Sequence, residues 1–292
     1  MGGGLALNSS TGAISGDPTD VTSNTTLSFT ANATSSGQAT PRNFSVVVTP
    51  QPVLSNLEVW FDPRNYSSLA NNSTASSNSA SNTNATWTLT TDGSAGFVSG
   101  LNNQGIECTS GSNVAFHTKG QDITAFDNIN NFTFEWWIYV GGNLGSWGFV
   151  GGKSDFWNPN EAGIYVHNSG TKWGFHTANT YGVETSSLPS VGWHHLVAVR
   201  NLADANCRKI YIDNSVVAYD NVGDNDANHT LNNDNALTIG GDCPGRNTNN
   251  FNTPGYTLPN TWKFGHTRFY TAALSATQVT QNWNAEKAIY GL

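Results

Sequence analysis

The stretch Phe132-Thr133-Phe134-Glu135-Trp136-Trp137-Ile138-Tyr139-Val140 decides the fold class. Along a β-strand successive side chains point to opposite faces. Phe132, Phe134, Trp136, Ile138 and Val140 therefore share one face, which is wholly apolar and must be core. Thr133, Glu135, Trp137 and Tyr139 share the other. Two aromatics and a carboxylate on that face predict either a half-covered surface or a binding surface, with Glu135 half-exposed.

Working outward from this strand, residues 148–151, 163–167, 172–176, 195–200, 209–213, 216–219, 236–239 and 262–270 also read as strands. Polar turns such as Asn168-Ser169-Gly170 and Asp213-Asn214 separate them. Many short strands with turn-rich joints predict a sandwich or jelly roll, not a βαβ sheet. Leu57-Glu58-Val59-Trp60-Phe61-Asp62 is the strand that starts this body. The Ser/Asn/Thr-rich run from Ser67 to Thr86 has almost nothing apolar and is expected to be a long surface loop. One helix closes the chain. Ser275-Ala276-Thr277-Gln278 has the form of a capping box, Val279 and Trp283 face one side, and Gly291 suits the stop.

Toward the N-terminus, Leu5-Ala6-Leu7, Ile14, Leu27-Ser28-Phe29 and Phe44-Ser45-Val46-Val47-Val48 read as short strands, with a turn at Asn8-Ser9-Ser10-Thr11-Gly12. Thr49-Pro50-Gln51-Pro52 marks a boundary, because proline cannot donate to a sheet ladder. The expected organisation is a small β-segment over 1–50, a linker over 51–56 and the main body over 57–292.

Composition narrows the function classes. Charged residues make up only 11% of the chain, against roughly 25% in ordinary soluble domains. The net charge is -8 with no Lys/Arg-rich run, so nucleic acid is not an expected partner. The 10 Trp residues argue for packed structure or a binding surface and against disorder. No stretch approaches the roughly 20 apolar residues of a membrane span, so membrane insertion is not expected. Met1-Gly2-Gly3-Gly4 lacks the features of a signal peptide. Either the chain is packaged without a secretion signal, as virion proteins are, or an upstream segment is missing. The cysteines are Cys108, Cys207 and Cys243, and an odd number excludes a closed framework. Cys207 opens one strand and Cys243 follows another, so they are a candidate disulfide if those strands are neighbours.

Five pieces in order resemble the concanavalin A-like lectin/glucanase superfamily of laminin-G type. They are Phe132-Thr133-Phe134-Glu135-Trp136-Trp137-Ile138, Gly192-Trp193-His194-His195-Leu196-Val197-Ala198-Val199, Ile210-Tyr211-Ile212-Asp213-Asn214, Leu237-Thr238-Ile239-Gly240-Gly241, and Arg268-Phe269-Tyr270-Thr271-Ala272-Ala273-Leu274-Ser275 with the helix behind it. The resemblance implies an all-β, two-sheet jelly-roll β-sandwich with a short C-terminal helix. The run from Gly4 to Pro18 resembles part of the Ig-like repeats of bacterial and phage surface proteins. It covers about half of such a domain, which implies completion by other residues or by a neighbouring chain.

Candidate chemistry is sparse. Enzymes on the resembling fold place carboxylates on one strand as an E-x-D-x-x-E run, and none occurs here, so no catalytic residues are assigned. His194 and His195 are adjacent on a strand, point to opposite faces and cannot share a metal. Asp224-Asn225-Asp226-Ala227-Asn228 copies the start of a calcium loop, but His229 and Asn235 stand where its Gly and Glu belong. Asp62, Asp224, Asp226 and Asp242 remain candidate Ca2+ ligands. Trp147, Trp157, Trp173, His176 and Tyr181 lie in or beside Gly/Asn-rich loops and are candidate glycan-stacking groups; the alternative is that they cap the sandwich edges or protomer contacts. The expected function is a non-catalytic structural or adhesive protein of a virion surface, as capsid decoration, appendage or fibre. Its partners would be other virion or surface proteins and further copies of itself. The alternative is a carbohydrate-binding adhesin module of a bacterial surface protein that binds cell-surface glycans, and a glycan-active enzyme stands third. The expected location is the virion surface or the extracellular space.

Overall fold

The computed structural model describes residues 4–16, 21–62, 68–69, 74–75, 87–91, 97–99, 105–108, 114–118, 122–153, 161–177, 180–220, 230–231, 235–241, 256–259 and 261–292. Contacts divide the chain into two units, Met1–Val53 with Ser275–Ile289, and Leu54–Leu274 with Tyr290–Leu292.

In the first unit, β1 (Ala6–Leu7) pairs with β2 (Ile14–Ser15). Asn8 Oδ1 accepts from the amides of Ser10 and Thr11, which is why this sequence turns where it does. The antiparallel ribbon of β3 (Thr25–Ser35) and β4 (Gln38–Val48) follows. Ser36 and Gly37 both take positive φ, the two-residue turn that matches strand twist. Phe29 and Phe44 sit directly opposite each other and stack at 5.6 Å. The helix α1 (Ala276–Glu286) belongs to the same unit and opens with the expected capping box. Its buried line is Val279, Asn282 and Glu286, with Trp283 half-buried. The Asn282 side chain accepts from the Val53 amide at 2.7 Å, and Asn284 donates to the Thr22 carbonyl at 2.7 Å.

The second unit is a jelly-roll sandwich of two antiparallel sheets. Among the described residues the first sheet runs β19 (Ser215–Asp220), β18 (Arg208–Ile212), β17 (Gly192–Arg200), β12 (Phe132–Val140), β21 (Lys263–Tyr270), β10 (Ile106–Cys108), β9 (Phe97–Ser99) and β6 (Ser68–Leu69). The strand β5 (Leu57–Phe61) pairs with the last part of β21, beyond the point where β10 joins its beginning. The second sheet runs β16 (Thr180–Glu184), β15 (Trp173–Thr177), β14 (Ala162–Val166), β13 (Gly148–Lys153), β20 (Leu237–Ile239), β11 (Val114–Thr118), β8 (Trp87–Thr91) and β7 (Thr74–Ala75). The polar run expected to be one long loop thus contributes a short strand to an edge of each sheet, β6 and β7; its other residues lie outside the described ones.

The apolar face of β12 is core as read. Phe132, Phe134, Trp136, Ile138 and Val140 are all buried in one cluster with Ile164, Phe175, Ile239 and Phe269. Phe132 meets Phe175 of the opposite sheet edge to face at 6.2 Å. Burial of each such side chain stabilises by roughly 1.5–3 kcal/mol.

The second face of β12 differs from expectation. Three of its four residues are sealed, since Thr133, Glu135 and Trp137 have no exposed surface, and Tyr139 near the strand's end is half-buried. Glu135 stands directly opposite Arg268, and its Oε1 accepts from Arg268 Nη1 at 2.9 Å and lies 3.0 Å from His195 Nε2. Arg268 also lies over the Trp60 ring at 4.5 Å. Trp137 is sandwiched between His195 and a parallel Tyr290 ring at 4.3 Å. Alternation correctly placed these residues on one face. It carried no information about what lies over that face.

Candidate functional site

The outer face of the second sheet brings together what the sequence scattered. Phe149, Tyr165, Gly174 and Glu184 are successive cross-strand partners on β13, β14, β15 and β16. Tyr165 points away from the inter-sheet core, whereas its neighbours Ile164 and Val166 point into it. Its ring lies flat on Gly174, where an added Cβ would come within 2.0 Å of Tyr165 Cζ. Only glycine leaves that space. The ring can therefore reach across a whole strand, and Tyr165 OH donates to Glu184 Oε1 at 3.1 Å. Phe149 uses Gly163 in the same way, with 2.4 Å from an added Cβ to its ring.

Polar groups that solvent reaches collect at this spot. Glu184 Oε2 accepts from the Lys172 ammonium, and His167 Nε2 lies 3.7 Å from Glu184 Oε1. The side chains of Lys172, His167 and Glu184 keep 31%, 30% and 23% of their surface exposed, so they are available to a ligand. Ser169 Oγ and Thr171 Oγ1, on the β14–β15 turn, are 2.7 Å apart. Trp147 borders the cluster, with its half-buried indole 4.9 Å from the His167 ring and 5.6 Å from Tyr165. Tyr165 itself has no exposed surface, so the half-buried Trp147 is the ring that solvent reaches here, beside hydroxyl, carboxylate and ammonium groups.

The candidates fare differently. Trp147 and His176 both pack on Tyr165, His176 at 5.9 Å. His176 is nevertheless only 1% exposed, so it supports the platform and does not itself face a ligand. Trp173 is corrected: as the first residue of β15 it points inward, is fully buried and meets Trp262 at 6.5 Å. It cannot stack on a sugar. Tyr181 lies on β16, one strand from Gly174. Trp157, Asp224, Asp226 and Asp242 lie outside the described residues. Asp62 is buried and accepts from His266 Nε2 at 3.1 Å, a partner that competes with a cation. Among the described residues no group of three or more His, Cys, Asp or Glu side chains converges as metal ligands do. Cys207 is buried with its Sγ 3.9 Å from the Asp220 carbonyl, and Cys243 lies outside the described residues. Tyr165, Lys172 and Glu184 were not singled out from the sequence. Their available signal was the pairing of Gly163-x-Tyr165 with Trp173-Gly174-Phe175, where glycine sits opposite aromatic.

The two adjacent histidines do point apart. His195 meets Glu135 on the buried face. His194 Nδ1 lies 2.7 Å from Asp213 Oδ2 and its Nε2 lies 2.9 Å from the Ser190 carbonyl. Burial alone would lower the His194 pKa, but the hydrogen bond and charge of Asp213, with the Ser190 carbonyl, hold it above the ordinary 6.5.

Comparison with known proteins accords with this architecture. A family model described as the concanavalin A-like lectin/glucanases superfamily matches residues 109–280. The chain belongs to this superfamily. No curated protein matches this superfamily member in sequence. Among solved structures it is similar to domain 4 of an extracellular GH43 arabinanase from Geobacillus stearothermophilus, solved in complex with arabinotriose. That likeness has a TM-score of 0.52 at 14% identity and covers 78% of this chain and 98% of the other. It is also similar to a mutant Trypanosoma rangeli sialidase displaying trans-sialidase activity, with a TM-score of 0.52 at 14% identity, covering 82% of this chain but only 34% of the sialidase. The binding domain of botulinum neurotoxin serotype C1 follows, with a TM-score of 0.50 at 10% identity, covering 79% of this chain and 52% of that one. At such identities the likeness is one of fold. No described helix is long and apolar enough to cross a membrane.

Proposed function

We propose that the chain is a non-catalytic, adhesive surface protein that holds glycans on the outer face of its second sheet, at Trp147, His167, Lys172 and Glu184, with the buried Tyr165 holding Glu184 in place. One observation carries the reading: the half-buried Trp147 indole stands beside the part-exposed His167, Lys172 and Glu184, and the fully buried Tyr165 holds Glu184 through its hydroxyl. Sugar rings offer C–H faces that pack on aromatic surfaces, and hydroxyl groups that need donors and acceptors beside them. The superfamily likeness to a domain solved with arabinotriose supports the same ligand class. Absence of catalysis is supported by Glu135, the carboxylate on the most legible strand. It is buried and salt-bridged to Arg268, where no substrate meets it. The protein would act outside a cell or on a virion surface.

A second reading, as a structural component of a virion, draws on the first unit. Phe44, Val47, Leu7 and Ile14 are all exposed apolar residues there. Leu7, Ile14, Phe29 and Phe44 line a groove of about 420 Å³. Two separate two-stranded ribbons, one of two-residue strands and one of 11-residue strands, suit a part-built Ig-like module that another chain segment completes.

The test is a titration of a polysaccharide panel against tryptophan fluorescence, with and without Ca2+. A saturable change that disappears in Trp147→Ala is expected. No response from any glycan would remove the lectin reading. Cleavage of a bound glycan would overturn the non-enzyme reading.

A further inference from the structure

Lys153 ends β13 and pairs with Ala162 of β14 on one side and Leu237 of β20 on the other. Its side chain has no exposed surface, whereas Lys172 and Lys209 in their ion pairs keep 31% and 21%. A lysine is almost never sealed in this way unless its charge is answered. Here Nζ donates to Asp122 Oδ1 at 2.5 Å and to the Asn235 main-chain carbonyl at 3.3 Å, and Asp127 Oδ1 lies 3.7 Å away. The two aspartates bracket a short 3-10 turn, Thr124–Phe126. That turn is anchored in the core by Ile123 and Phe126, and the Asp127 amide donates to the Thr124 carbonyl at 3.0 Å. The amine and both carboxylates are thus held by fixed elements. The Asn235 side chain is committed elsewhere, since its Nδ2 donates to the buried Glu161 at 2.8 Å.

We propose that Lys153 and Asp122 condense to an amide, an internal cross-link between β13 and the segment ahead of β12. A proton passes from the ammonium to Asp122 within the ion pair, leaving a neutral amine against a neutral acid. The Nζ lone pair attacks Cγ of Asp122, and a C–N bond forms. Asp127 takes a proton from the nitrogen and returns one to the departing hydroxyl, whose C–O bond breaks as water leaves. Asp127 ends as it began. One ammonium and one carboxylate become one neutral amide and one water, with nothing oxidised or reduced. Asp122 keeps 25% of its side chain exposed, which gives the water its way out. Two effects favour condensation over its reversal. Groups held in contact react at effective molarities of about 10⁵–10⁸ M, far above the concentration of liquid water. The product also removes two charges whose desolvation is costly. The cross-link would constrain the unfolded chain as a disulfide does, without oxidising surroundings, and so suits the adhesive reading above without depending on its glycan site.

The experiment is the intact mass of the full chain, measured after denaturation. It should fall one water short of the mass of the sequence, and protease mapping should yield one branched peptide joining Lys153 to Asp122. Lys153→Met and Asp122→Ala should each show the full mass of their sequences. Asp127→Asn keeps both reacting groups and should link about 10²–10⁴-fold more slowly when the mass is followed after cell-free synthesis. A wild-type chain of full sequence mass overturns the proposal, as does a lost water that mapping places elsewhere. Loss of one ammonia in place of water moves the bond to an asparagine amide and overturns Asp122 as the partner. Linking of Asp127→Asn at the wild-type rate overturns Asp127 as the proton carrier.

Discussion

Removing the Glu135 carboxylate should cost the sandwich much of its stability, and removing its partner as well should return most of it. Glu135 and Arg268 are both fully buried and 2.9 Å apart. At an effective dielectric of about 20 their attraction is roughly 6 kcal/mol, most of it offset by the cost of taking both charges out of water. In Glu135→Leu the guanidinium stays buried over Trp60 but loses its carboxylate. Such single removals cost about 3–5 kcal/mol. For a unit of this size each kcal/mol lowers the melting temperature by about 2–4 °C, so a fall of roughly 6–20 °C is expected. The double variant Glu135→Leu/Arg268→Met replaces the pair with apolar groups of similar length. It should lie within about 1–2 kcal/mol of wild type, giving a large favourable coupling in the double-mutant cycle. The assay is urea unfolding followed by tryptophan fluorescence, since Trp60 and Trp137 adjoin the pair. Suppose instead that the single variant loses less than about 1 kcal/mol, or that the double variant loses the sum of the singles. Then this face of β12 is not sealed as described, and a ligand surface there returns to consideration.

Two further outcomes follow from the geometry. Gly174→Ala should push the Tyr165 ring off Glu184, lower stability by about 1–3 kcal/mol as overpacking does, and weaken the glycan-induced fluorescence change; an unaltered titration would show that Tyr165 does not position Glu184 for a ligand. His194 holds its proton more tightly folded than unfolded, so its pairing with Asp213 stabilises fully below the ordinary 6.5 and is lost as pH rises through the raised folded value. The melting temperature should therefore fall on raising the pH past 6.5, and His194→Gln should flatten that fall; an equal slope in the variant would place the titration elsewhere.

The residues that announced the fold were those whose two faces differ most. β12, β17 and β21 carry long alternating or continuous apolar runs, and each was legible. By contrast β16 passed unseen, because Thr180-Tyr181-Gly182-Val183-Glu184 offers one inward apolar residue, Val183, among polar and glycine positions. The short strands β6 and β7 were hidden for the same reason. At the site, period-two reasoning can tell which residues share a face but not which cross-strand neighbour lacks a side chain. Tyr165 becomes a bridge only because Gly174 is its partner, and that depends on register between two strands separated by a turn. Trp173 was misassigned because its flanking glycines and polar residues resemble a loop, while its register opposite Val166 turns it inward.

The position of β21 has a consequence for how the protein is made. This strand lies between β12 on one side and β5 with β10 on the other, yet it follows all three of them in the sequence. A nascent chain on the ribosome must hold β5, β10 and β12 without their common neighbour until all the residues between them and β21 have been synthesised. Pairings of such long sequence separation form slowly. Until Lys263–Tyr270 emerges, the apolar face of β12 and the edges meant for β21 stay open to wrong partners. Truncation before β21 thus removes the keystone of a whole sheet, so products that stop short of it are expected to aggregate where those that include it fold.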